Sequence, residues 1–141
     1  MAKHDVPFLQ NGMGRTPADG GCIMQVIDWI TNNGSWTDKP KCVLPALREI
    51  AIAVNDDADP AQRQQLLPLA TRLMHTNPSD PRERVRLEMA IHVKWAELRG
   101  LSRLYTVESL VELLDFYDEI TGRPTPTETL DFSGVCAAMN A

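Results

Sequence analysis

With 141 residues, 43% of them apolar and 23% charged, the chain has the composition of a soluble globular protein long enough to bury a core without disulfide staples. A formal net charge of −5 argues against a general affinity for nucleic acid or anionic membranes, and no apolar stretch is long enough to span a bilayer. Aromatic residues make up only 6%, so the core must be built from Leu, Ile, Val, Ala and Met, a composition that favours helices.

Residues 1–18 mix Gly, Pro and Asn with Val6, Phe8, Leu9 and Met13, which predicts an extended arm pinned to the body by Phe8 and Leu9. The first helix opens at Asp19 as N-cap and runs to about residue 31. Its apolar stripe is Cys22, Ile23, Val26, Ile27 and Ile30, with Gln25 and Asp28 on the other side. Asn32-Asn33-Gly34 ends it, because Asn and Gly accept the left-handed backbone of a helix stop. Pro45 marks the start of the second helix, which carries Leu47, Ile50, Ala51 and Val54 and closes at Asn55-Asp56-Asp57. A third follows Asp59-Pro60, with a break expected at Pro68.

The fourth and longest helix is read over residues 81–104, with Gly100 as a candidate early stop. One apolar row is Leu87, Ile91, Trp95 and Leu98, and a second is Val85, Met89, His92 and Ala96. Together they predict a wide buried arc on a central helix, with His92 as a core histidine. Thr106 caps a fifth helix that stops at Gly122 before Pro124. Beyond a Thr/Pro linker, Phe132, Val135, Cys136 and Met139 recur at helical spacing, predicting a short element that docks on its own bundle or enters a partner's groove. Strand alternation is missing. The reading is an all-α compact bundle of five to six helices with an irregular N-terminal arm. It forms one helical domain over residues 1–141: arm 1–18, helical body 19–122, and linker with short C-terminal helix 123–141.

The chemistry is sparse. Three cysteines at irregular spacing make no secreted disulfide framework, and residues 1–20 lack the apolar core of a signal peptide. The expected setting is therefore cytoplasmic, with reduced thiols. Cys22 and Cys42 flank one loop, and His75, His92 and Cys136 are further candidate ligands, but no close Cys or His pair announces a zinc site. Neither a metal nor a cofactor is expected. A position in the first turn of a helix can lower a thiol pKa, yet Cys22 lies on the apolar stripe near Asp19, which favours an inert buried thiol. Asp28, Asp38, Asp56 and Asp57 could offer an acid pair, but caps and loop hydrogen bonds explain all four without chemistry. Arg82, Arg84, Arg86, Lys94, Arg99 and Arg103 gather in the fourth helix and its end, interleaved with Glu83, Glu88 and Glu97, as in a solvated salt-bridged face.

A non-enzymatic role in protein interaction, with another protein or a second copy, is what remains. The contact residues expected are Trp36, Phe132 and Met139, with Arg99 and Arg103 as rim charges. Cys22, Trp29, Cys42, Ile50 and Trp95 are assigned to the core. A metal- or thiol-dependent enzyme centred on Cys22, Asp38 and Cys42 is the alternative, and requires those side chains in one pocket. A nucleic-acid-binding regulator using residues 81–104 is the second alternative.

The segments Gly21-Cys22-Ile23-Met24, Trp36-Thr37-Asp38-Lys39-Pro40-Lys41-Cys42 and Val54-Asn55-Asp56 resemble a small family of actinobacterial and actinophage proteins. Its members carry a Gly-x-Cys-(Leu/Ile)-Met opening, a Ser/Thr-Asp-His-Pro-x-Cys-x-His-Pro loop and a Val-Asn-Asp helix end. The likeness covers about residues 7–76 and brings no activity with it. Lys39 and Leu44 stand where many members have histidine, so any role those histidines serve is lost here. Residues 7–15 look most like the phage-borne members.

Overall fold

Proline and its preceding residue set the frame of the helices. Pro45, Pro60 and Pro81 each occupy the first helical position, where the missing N–H costs nothing. Asp59 accepts from the Gln62 N–H at 2.8 Å, and Asp80 from the Arg82 N–H at 3.0 Å, so two of these starts are also capped by a carboxylate. The computed structural model describes residues 8–100 and 105–124. Over these, the helices are α1 (Ile23–Thr31), α2 (Pro45–Asp57), α3 (Pro60–Gln64), α4 (Ala70–Leu73), α5 (Pro81–Gly100) and α6 (Val107–Thr121), with 3-10 turns at Pro17–Asp19 and Leu67–Leu69. Among the described residues the extended pairing is a single isolated parallel bridge between Leu9 and Gly21. The architecture is all-α, as expected. The break at Pro68 is present as the second 3-10 turn, and Gly122, at φ +69°, ends α6. Residues 101–104 and the predicted element around Phe132, Val135, Cys136 and Met139 lie outside the described residues.

The centre of the fold is α2, not α5. It packs against α1, α3, α5 and α6, and buries Ala46, Leu47, Ile50, Ala51, Val54 and Asn55. Helix α5 buries Leu87, Ile91, Trp95 and Leu98 alone, so the expected wide arc is corrected. At 100° per residue the row through Val85, Met89, His92 and Ala96 is centred about 135° away from the buried row, too far for a helix packed on one side to bury both. His92 therefore sits in solvent, its Nε2 3.9 Å from Glu88, and is not a core histidine. Of the residues assigned to the core, Cys22, Ile50 and Trp95 are buried, whereas Trp29 and Cys42 are only partly so.

Helix α1 starts later than expected. Pro17–Asp19 closes its own turn, Gly20 reverses the chain at φ +83°, and Cys22 takes the N-cap. The Gln25 side chain reaches back to the Cys22 N–H at 3.2 Å, as in a capping box. The polar side of α1 is buried too: Gln25 and Asp28 are 0% and 2% exposed, contrary to the expected outward face. The reason is that α1 is covered on both sides. Its apolar stripe meets α2, and its polar side holds the arm and the loop after it.

That arm is fixed by side-chain amides more than by apolar contact. Leu9 is buried, but Phe8 is 47% exposed. Gln64 brackets Leu9 from both sides, accepting from its N–H at 3.2 Å and donating to its carbonyl at 2.7 Å. Asn55 Nδ2 donates to the Gln10 carbonyl at 2.8 Å, while Asn55 Oδ1 accepts the Ile23 N–H at 3.1 Å. Asp56 accepts the Gly12 N–H at 2.8 Å. Gln25 accepts the Gly14 N–H at 2.9 Å and donates to the Gly14 carbonyl at 3.0 Å. Amide side chains here replace a neighbouring strand, satisfying backbone groups that burial would otherwise orphan.

Asp28 ties down the other end of α1. Burial pushes its carboxyl up, but hydrogen bonds from Ser35, from the N–H and hydroxyl of Thr37, and from Asn32 outweigh that and hold it below the usual 3.8. A depressed pKa in the folded state stabilises the fold in full above the ordinary value, and the contribution is lost as the pH falls below 3.8 through the folded value. Asp28→Asn is therefore expected to be less stable than the parent at neutral pH, with the gap closing in acid. A gap that stays constant from pH 7 down to about pH 2 in urea titrations would remove Asp28 from the acid response.

Candidate functional site

Of the residues expected to make contacts, Trp36 and Arg99 are among the described residues. Trp36 is half-buried: its indole N–H donates to the Gly14 carbonyl at 2.8 Å, and a Cβ on Gly21 would meet its ring at 2.5 Å. The ring thus serves as a lid over the arm and the start of α1. Arg99 lies on α5 with its guanidinium 5.0 Å above the Tyr105 ring. Arg103, Phe132 and Met139 lie outside the described residues.

Of the trio Cys22, Asp38 and Cys42, Cys22 is buried in the core and Asp38 acts on it only through its charge. Cys22 is 1% exposed, and burial, with the charges of Asp38 and Asp56 adding to it, pushes its thiol up against the lowering pull of the Gln25 and Met24 backbone N–H groups. A thiol held protonated is a poor nucleophile. Cys42 instead lines a small cavity of about 180 Å³ with Asp28, Thr31, Asn32, Lys41 and His75. Among the described residues, no group of three or more His, Cys, Asp or Glu is placed to hold a metal ion. No helix among them is long and apolar enough to cross a membrane.

What the sequence reading missed is the outer face of α5. Val85, Met89 and Val93 are 58%, 65% and 61% exposed, at i, i+4 and i+8. With the exposed Ala96 they form an apolar stripe centred about 160° from the buried row. Beside it runs a groove of about 430 Å³ lined by Met89, Ala90, Val93, Lys94, Glu97 and Phe116. Lys94 sits 5.4 Å above the Phe116 ring and 3.8 Å from Glu97. Ile120 on α6, 42% exposed, is a further outward apolar residue. Three large side chains in register on one helix face are more than the scattered exposed hydrophobes of a monomer surface.

The stripe is flanked by charge of both signs. At 100° per residue, Arg86 and Glu97 fall on one flank and Glu88 and Arg99 on the other, each pair eleven residues, or about 16 Å, apart along the axis. Within the chain, Arg86 pairs with Glu83 and Glu88 lies near His92. Val85, Met89 and Ala96 were readable in the sequence as part of the second apolar row, without Val93, but periodicity does not say whether a row faces core or solvent. The fold and this face together define a small all-α protein with a single-helix apolar surface. Comparison with protein-family models, with curated proteins and with solved structures finds no match.

Proposed function

We propose that the protein is a non-catalytic helical interaction module whose partner is a second copy of itself, docked through α5. The observation that carries this is the stripe Val85, Met89, Val93 and Ala96 with the self-complementary flank of Arg86 and Glu97. Laid antiparallel about a two-fold axis near residue 91, two copies of α5 set Met89 against Val93. The same arrangement sets Arg86 against Glu97, once at each end of the contact along one flank. Antiparallel alignment also opposes the helix dipoles. A parallel alignment would instead pair Arg86 with Glu88.

The contact is modest. A 20-residue helix about 30 Å long and 10 Å wide offers about 300 Å² per copy, against about 800 Å² per partner in a standard interface. A weak, concentration-dependent dimer follows. The resemblance to actinobacterial and actinophage proteins supports a bacterial cytoplasm, of a phage host or of the bacterium itself, as its setting.

Sedimentation velocity from micromolar to near-millimolar protein tests the reading. The parent chain is expected to shift from monomer to dimer. Arg86→Glu is expected to weaken association by about tenfold, and adding Glu97→Arg to restore it. Restoration by Glu88→Arg instead would turn the pair parallel. A monomer at every concentration, or a dimer indifferent to Met89→Glu, would overturn the proposal.

A further inference from the structure

On a different face, four cations converge without a carboxylate among them. Lys39 and Lys41 come from the loop before α2, Arg48 from the first turn of α2, and Arg84 from the first turn of α5. They border a cleft of about 460 Å³, within the size range of small-molecule sites. No Asp or Glu lines it. Elsewhere Arg72, Arg86, Lys94 and Arg123 each pair with an acidic side chain, but among the described residues none of these four does. Gathering like charges raises the energy of the empty cleft, and an anion relieves it. In a chain of net charge −5, such a concentration is the local exception.

Neutral acceptors hold Arg84 in place. Arg84 Nε donates to Asn77 Oδ1 and Arg84 Nη2 to the Pro78 carbonyl, both at 3.1 Å. Those bonds orient the guanidinium and leave its charge uncancelled. Asn77 Nδ2 in turn donates to the Lys41 carbonyl at 3.0 Å, so one side chain links the Arg84 and Lys41 walls. The N-terminus of the thirteen-residue helix α2 opens onto the same cleft through Pro45, and no side chain caps it. The rest of the lining is the apolar Pro40, Val43, Pro45 and Pro78 with the neutral polar Asn77 and Ser79.

We infer that this cleft binds a phosphorylated small molecule, with its phosphate groups among Lys39, Lys41, Arg48 and Arg84 and its organic part against the prolines. The division of the walls into cationic and apolar parts matches a ligand that is itself divided. The acidic charge of the chain as a whole favours a small ligand over a polynucleotide. The inference is independent of the outer face of α5, because Arg84 is the one α5 residue it uses.

Titration of the full chain with ADP and, separately, with pyrophosphate, followed by amide NMR and calorimetry, tests it. Both are expected to shift amides within residues 39–48 and 77–84, with affinity falling as salt rises. ADP is expected to bind more tightly than its phosphate charge alone explains. Arg48→Glu and Lys41→Glu, both at solvent-accessible positions, are each expected to weaken ADP by about tenfold or more. Arg82→Glu, outside the lining, should leave it unchanged. No binding of either probe at millimolar concentration, or binding indifferent to Arg48→Glu, overturns the site. ADP no tighter than pyrophosphate removes the organic half of the assignment. A duplex oligonucleotide binding more tightly than ADP through the same residues overturns the small-molecule class.

Discussion

Asn55→Ala is expected to destabilise the protein by about 3 kcal/mol, more than a surface position on a helix end should cost. Asn55 is fully buried, and its amide joins three elements: Ile23 at the start of α1, Gln10 in the arm, and Asp56 beside it on α2. Truncation would orphan the Ile23 N–H and the Gln10 carbonyl, each costing about 1–3 kcal/mol if water cannot reach it. Arg63 adds to the same joint, donating to the Asn55 carbonyl at 2.6 Å and thereby closing the C-terminal end of α2. The change should appear as a lower urea midpoint with an unchanged slope. Exchange at the Gly12 and Gly14 amides, held by Asp56 and Gln25, should accelerate first as the arm lifts. A loss below about 1 kcal/mol would mean that the arm contributes little to the fold.

The second large effect separates the two faces of α5. Ile91 is 0% exposed and Val93, two residues on, is 61% exposed. Ile91→Ala is expected to cost about 3 kcal/mol, from lost burial and the cavity left behind. Val93→Ala should change monomer stability by less than about 0.5 kcal/mol and weaken self-association instead. Measured at low concentration, where the chain is monomeric, the pair reads out the orientation of the helix. Comparable losses at both positions would mean that Val93 is covered within the monomer, and the interaction surface would fall with it.

Much of the frame was legible before any packing was known, and for local reasons. Pro45, Pro60 and Pro81 fix starts because their φ and missing N–H act within one turn. Thr106 caps α6 by accepting the Ser109 N–H at 3.1 Å, and Gly122 stops it by adopting a left-handed backbone. The start of α1 was misplaced at Asp19 because a good cap residue can equally close a 3-10 turn, and Gly20 at φ +83° is what separates the two. Asn55 and Asp56 read as a helix end. Their use as anchors for Gln10 and Gly12, some 45 residues earlier, left no local signal. The cationic cleft was equally hidden, since Lys41 and Arg48 look like ordinary surface charges until Arg84 is brought beside them.

The sequence alone determined an all-α chain, the caps and breaks of its helices, and which residues were apolar enough to be buried or to bind. Each of these is set by interactions between residues a few positions apart. Tertiary structure decided which rows met the core. It put α2 at the centre, buried Gln25, Asp28 and Asn55 against a returning arm, and turned Val85, Met89 and Val93 outward. Helical periodicity fixes the angle between two rows on a helix but not which of them faces a neighbour. That choice belongs to contacts between segments distant in sequence.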